Sequence, residues 1–174
     1  MTENNHSVNT LHELLDFDVT KFVSAEIQLE KSLPGFVNMA ASPKLKHVLL
    51  KYFDFVKKHV QNMESFFEEE NITSLSLQNR IMHAFIEEAE EKLSVCKSTE
   101  VKDACLLSCI QAINHFKISM YGTAAAFAKE LGMEKQSAFF REAEVNEKQI
   151  DDRLSQLAEH EINSNAKTSI SLPG

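Results

Sequence analysis

The chain has 174 residues, 43% of them apolar and 25% charged, which is the size and balance of one ordinary domain with a real core. Four glycines and three prolines are too few to punctuate an all-β fold, so a few long helices are expected. A formal net charge of −8 argues against a nucleic-acid phosphate backbone as partner.

The lead, residues 1–9, is polar and carries no apolar signal core, and no apolar run is long enough to span a bilayer. A cytoplasmic protein with no membrane partner is expected. A first helix is predicted from about Thr10 to Ala41, with Leu11, Leu15, Val19, Phe22, Glu26, Leu29, Leu33, Phe36, Val37 and Ala40 on one stripe. Pro34-Gly35 should kink or break it. Ser42-Pro43 reads as a hydroxyl N-cap followed by proline at the first helical position. The second helix then runs to about Glu70, with Leu45, Leu49, Tyr52, Val56, Val60, Met63 and Phe67 inward.

Asn71 to Ser76 read as a polar connection, and a shorter third helix is predicted over about Leu77 to Val95. It turns Ile81, Met82, Phe85, Ala89 and Leu93 inward, with an acidic cluster at Glu87 to Glu91. That cluster, with Glu68 to Glu70, could bind a basic partner, although charge runs are usually solvated faces. Ser98-Thr99-Glu100 opens a fourth helix over about Val101 to Leu131, stopped by Gly132 in a left-handed conformation. Apolar residues surround much of it, so it should be central. A fifth helix covers about Glu134 to Glu161, with Phe139, Phe140, Ala143, Glu147, Ile150, Leu154 and Leu157 on its stripe. The expected organisation is a helical bundle domain over 10–161 between a flexible lead (1–9) and a flexible tail (162–174). Three cysteines, Cys96, Cys105 and Cys109, suggest no disulfide framework. Cys105 and Cys109 stand one turn apart in a greasy segment, and the pair reads as small hydrophobes because no third soft ligand lies nearby in sequence.

Three long helices each carry one ionisable residue on an otherwise apolar stripe: Glu26, Lys117 and Glu147. The second helix places Phe55 and His59 beside its stripe. Any one of these can snorkel from the edge of a stripe to water, but three at similar depth point to a shared level in the bundle. A carboxylate there needs a cation, a proton or a metal to offset its desolvation. Two arrangements satisfy this. Glu26 and Glu147 coordinate metal with His59 or His115, or the Lys117 ammonium bridges the two carboxylates and no metal is needed. The second is more economical in charge.

Several runs, in order, carry a family resemblance. They are Ser24-Ala25-Glu26-Ile27-Gln28-Leu29 with Ser32-Leu33-Pro34; Leu45-Lys46 leading to His59-Val60; Phe85-Ile86-Glu87-Glu88-Ala89; Val101-Lys102-Asp103-Ala104-Cys105-Leu106; Gln111 to Gly122 continuing to Leu131-Gly132; and Asn146-Glu147-Lys148 before Asp151 and Leu154. Together they resemble the YciE/YciF-type branch of the ferritin-like superfamily over about Leu11 to Ala158. The resemblance implies an all-α fold, a ferritin-like antiparallel four-helix bundle with one additional short helix. It also implies a rubrerythrin-like carboxylate di-metal centre, a homodimer and a place in bacterial stress responses.

The chain departs from that pattern at the chemistry. Asn114 and Lys117 stand where the family has the two glutamates of a Glu-His-Tyr-Glu core, and Phe116 replaces its tyrosine. Asp54-Phe55 replaces an acidic pair, Val145-Asn146-Glu147 an acidic run, and Val23 a tyrosine. The expected site is therefore vestigial, built from Glu26, Phe55, Asn114, Lys117, Asn146 and Glu147, with Lys117 pairing to both glutamates, no cofactor and no catalytic residue. The alternative is an iron- or manganese-dependent oxidase or peroxidase using Glu26, Asp54, His59, His115 and Glu147.

Overall fold

The computed structural model describes residues 7–69, 72 and 78–167, and every regular element among them is helical. The long helices are α1 (Leu11–Met39), α2 (Pro43–Glu69), α4 (Thr99–Glu130) and α5 (Glu134–Leu157), with the shorter α3 (Arg80–Val95) between the pairs. A π-helical turn (Ala158–Ile162) and a last short helix α6 (Asn163–Ala166) extend α5.

The helix ends follow from local chemistry. Thr10 opens α1 with a capping box: its hydroxyl accepts from Glu13 N at 3.1 Å while the Glu13 carboxylate accepts from Thr10 N at 3.0 Å. Ser42 Oγ accepts from Leu45 N at 3.3 Å just before Pro43, and Ser98 Oγ from Val101 N at 3.2 Å. Gly132 takes φ +72° after α4, where a side chain would be strained. Asp103 of α4 clasps the α1–α2 turn, accepting from Ala41 N at 2.8 Å and Ser42 N at 2.7 Å.

Short connections fold α1 onto α2 and α4 onto α5, so each pair is antiparallel. α1 also packs on α4, and α2 on α5, which closes a four-helix bundle, while α3 lies against α1 and α4. The apolar stripes meet in one core that includes Phe22, Leu29, Leu49, Tyr52, Ile113, Tyr121, Phe140 and Ile150.

Four expectations need correction. Pro34 does not break α1, which continues to Met39. Pro34 and Gly35 are exposed while Leu33, Phe36 and Val37 are buried, so the missing hydrogen bond falls on the watered side and packing on the other side holds the helix. Ile81 is 55% exposed, and α3 buries Met82, Ile86, Ala89 and Leu93 instead. Its rotation is set at the cap, where Asn79 N donates to Ser24 Oγ at 3.1 Å and Asn79 Nδ2 to the Lys21 carbonyl at 3.2 Å. Near the C-terminal end of α2 Phe66 is the buried aromatic, edge-on to Phe140, and Phe67 is half-buried. At the C-terminal end the helical chain passes residue 161, with Ala158 and Ile162 buried and the π-turn and α6 packed on α4. The expected start of the third helix at Leu77 lies outside the described residues, as does the 71–76 connection apart from Ile72.

Candidate functional site

The interrupting residues meet in the centre of the bundle, and every long helix contributes. α1 supplies Glu26, α2 supplies Tyr52 and His59, α4 supplies Asn114, Lys117 and Tyr121, and α5 supplies Glu147; all are buried. Asn114, Lys117 and Tyr121 stand at i, i+3 and i+7, so α4 presents them on one face.

Lys117 is the hub. Its Nζ lies 2.6 Å from Glu147 Oε1 and 3.1 Å from Glu26 Oε1, and 4.7 Å from the centre of the Tyr52 ring, a cation–π distance. Tyr121 donates its hydroxyl to Glu26 Oε1 at 2.7 Å. Asn114 Nδ2 donates to Glu147 Oε2 at 2.7 Å and to the Glu147 carbonyl at 3.0 Å. His59 Nδ1 faces both acids, 3.5 Å from Glu147 Oε1 and 3.8 Å from Glu26 Oε1. On its other side His59 Nε2 sits 3.5 Å from Asn146 Nδ2, which is half-buried at the α2–α5 rim. Phe55 stacks beside His59 at 6.4 Å.

Two carboxylates and one ammonium leave the buried trio with one negative charge in excess of neutrality. Burial pushes the Glu26 carboxyl up, but the Lys117 ammonium, His59 and Tyr121 outweigh it and hold Glu26 below its ordinary value. At Glu147 burial prevails over Lys117, and with the Glu26 charge it holds that carboxyl above its ordinary value. The fold therefore favours a proton on the Glu147 side of the pair. Burial and the two acids hold the Tyr52 and Tyr121 phenols well above their usual range, so both remain donors. Glu26 Oε2, Tyr52 Oη, His59 Nδ1 and Asn114 Oδ1 are buried without a hydrogen-bond partner at bonding geometry.

Not every candidate arrives. The Asp54 side chain is 72% exposed and pairs with Lys57 at 2.8 Å. The His115 side chain is 65% exposed and meets Asp151 at 2.9 Å on the α4–α5 surface. The five-residue metal set of Glu26, Asp54, His59, His115 and Glu147 is thus not assembled: α2 and α4 turn Asp54 and His115 to water because Tyr52, His59 and Lys117 already occupy their inward faces. Helical spacing alone places Tyr52 and Tyr121 on core-facing stripes and assigns neither a role in the site. A buried phenol needs a partner for its hydroxyl, and each stands two helical turns from a site residue, Tyr52 before His59 and Tyr121 after Asn114. That spacing was the available signal.

A two-metal carboxylate centre needs about four carboxylates with further ligands, and the residues present do not fit one. Two carboxylates and one imidazole converge, and an ammonium already lies between the carboxylates. Glu26, His59 and Glu147 each offer a donor atom within 4.8 Å of the others, the geometry of at most one ion.

Comparison with known proteins places this bundle. The chain is 26% identical over 162 residues to protein YciF of Escherichia coli (strain K12), spanning 92% of this chain and 98% of that protein. The crystal structure of the E. coli stress protein YciF superposes with a TM-score of 0.83 at 25% identity, covering 93% of this chain and 100% of that one. YcfI of Rhodopseudomonas palustris shares the fold, with a TM-score of 0.82 at 24% identity over 87% of this chain and 96% of that one. Residues 10–167 match the family described as a domain of unknown function, DUF892. With nearly its whole helical length matched, the chain belongs to that family, the family of YciF-type proteins.

Proposed function

We propose that this protein is a ferritin-like, YciF-type stress-associated protein that works without metal chemistry, its bundle centre closed by Lys117 in the place a di-metal site would take. The observation that carries this is the Lys117 ammonium, buried and within ion-pair distance of both Glu26 and Glu147. An ammonium there supplies the positive charge that the two carboxylates require, and its repulsion opposes entry of a divalent cation. The resemblance to the stress protein YciF supports a stress role; a cytoplasmic location and a homodimer, in which the bundle acts through its surface, complete the proposal.

A second reading is favoured by one observation, the convergence of Glu26, His59 and Glu147 donors within 4.8 Å. With Lys117 swung away, those three would hold a single iron or manganese ion, which would supply oxidase or peroxidase chemistry. Elemental analysis separates the two readings. The protein is purified without chelator, then exposed to anaerobic ferrous iron or manganese and desalted. The first reading expects no stoichiometric metal; one ion per chain, lost in a Glu147→Gln variant, would overturn it in favour of the second.

A further inference from the structure

Lys117 is a primary amine pressed against a carboxyl group where water reaches neither. Its Nζ lies 2.6 Å from Glu147 Oε1, and both side chains are fully buried. The Glu147 carboxyl carbon is at most one C–O bond farther away, so the two atoms that an amide would join stand near contact. Holding reactants in this way replaces a bimolecular encounter with a step inside one molecule. The Lys58–Glu142 pair on the surface is nearly as short, 2.7 Å, but both of its side chains are more than half exposed. Water solvates those charges and opposes the loss of a further water. The core pair has no such solvent, and a neutral amide in its place removes two charges whose burial is costly.

The surrounding groups stand where such a condensation requires them. Glu26 Oε1, 3.1 Å from Lys117 Nζ, can take a proton from the ammonium and leave a nucleophilic amine. Tyr121 holds that carboxylate through its hydroxyl at 2.7 Å. Asn114 Nδ2, 2.7 Å from Glu147 Oε2, donates to the oxygen on which negative charge develops as the amine adds. His59 Nδ1 lies 3.5 Å from Glu147 Oε1, the oxygen that would leave, and has no hydrogen-bond partner at bonding geometry. Glu26, His59 and Glu147 bring donor atoms within 4.8 Å of one another, so a proton taken at Glu26 has a short path to the leaving oxygen.

We propose that Lys117 and Glu147 join in an intramolecular isopeptide bond, formed slowly from the ion pair with Glu26 as general base and Asn114 as oxyanion donor. The proposal rests on the metal-free reading of the centre and makes its closure covalent. The Nζ–Cδ bond forms and the Cδ–Oε1 bond breaks. Of the three ammonium protons, one stays on the amide nitrogen. The other two leave with Oε1 as water, carried through Glu26, which ends as the carboxylate it began as. Nothing is oxidised or reduced. In the product the amide N–H faces Glu26 Oε1 and the carbonyl keeps the Asn114 hydrogen bond, so α4 and α5 are tied together at mid-helix.

The test is the intact mass of the full-length wild-type chain under denaturing conditions, measured fresh and after several days of incubation in the folded state. A population lighter by one water is expected to grow with time. Protease digestion should then yield a branched peptide joining the segment of Lys117 to that of Glu147, with Lys58 and Glu142 unlinked. This measurement depends on the folding of no variant. Lys117→Arg keeps a cation but not the amine and should hold its full mass. Glu26→Gln keeps both joined groups and should slow the linkage on the order of a hundredfold, as for loss of a general base. Elemental analysis of the same samples separates this proposal from the reading beneath it. Full mass throughout in a metal-free chain, or a branch at any other acid, would overturn the cross-link alone. Stoichiometric metal with full mass would overturn the metal-free reading as well.

Discussion

Two ion networks in this molecule use the same chemistry with opposite charge ratios. In the core, one cation, Lys117, serves two carboxylates, Glu26 and Glu147. On the outer side of α5, two cations, Arg141 and Lys148, serve one carboxylate, Glu144. The shortest contacts with a lysine are equal, 2.6 Å in each, yet the consequences differ. Arg141 and Lys148 are more than half exposed, so water and salt screen the outer network and either cation can leave at little cost. Lys117 has no water to fall back on, and neither do its partners. Glu144 is held below its ordinary value, with Lys148 as the main favourable partner. The inner acids split, Glu26 down and Glu147 up, because one ammonium cannot compensate two buried charges. Charge ratio and solvent access, rather than contact distance, separate the two.

The contrast breaks most sharply at Lys117. Lys117→Met leaves two buried carboxylates without a cation and should cost about 3–5 kcal/mol, a fall in melting temperature on the order of 10 °C. The triple variant Glu26→Gln, Lys117→Met, Glu147→Gln should recover much of that loss, since it removes the charges together. A Lys117→Met protein that melts with the wild type would show that Lys117 is not the counter-charge of the core.

Acid sharpens the same point. Glu26 is held low, so its contribution is present above the ordinary carboxylate value and is lost as pH falls through the lowered one. Glu147 is held high, so its contribution is present below the ordinary value and is lost as pH rises through the raised one. Protonation neutralises the acids that Lys117 balances. The melting gap between wild type and Lys117→Met should therefore be smaller at about pH 4 than at about pH 8. A gap independent of pH would place the cost of the substitution in packing.

Smaller effects follow at the periphery. Asp103→Ala strands the Ala41 and Ser42 amides and should cost about 1–3 kcal/mol by chemical denaturation. Arg141→Ala should move stability by no more than about 0.5 kcal/mol, and less still in high salt. A loss there comparable to that of Lys117→Met would erase the distinction between the networks.

Much of the fold was legible because helix periodicity and capping are local. The Ser42, Ser98 and Gly132 boundaries lie at the expected places, since each depends on a hydroxyl or a missing Cβ within a few residues. Pro34 was misleading for the opposite reason. Its local penalty is real, but the buried contacts of Leu33, Phe36 and Val37 are made with other helices. Ile81 was misplaced because hydrogen bonds from Asn79 to α1, more than fifty residues earlier, set the rotation of α3.

The site divides along the same line. The sequence alone determined that Glu26, Lys117 and Glu147 sit on core-facing stripes, because a residue's face on a helix depends only on its spacing from its neighbours. It also determined that an uncompensated charge there would be costly. Which groups meet was decided by the packing of four helices. Tyr52, Tyr121, His59 and Asn114 join the trio, while Asp54 and His115 go to water. Those pairings depend on the rotation and relative height of separate helices, and long-range contacts, not spacing within one helix, settle them.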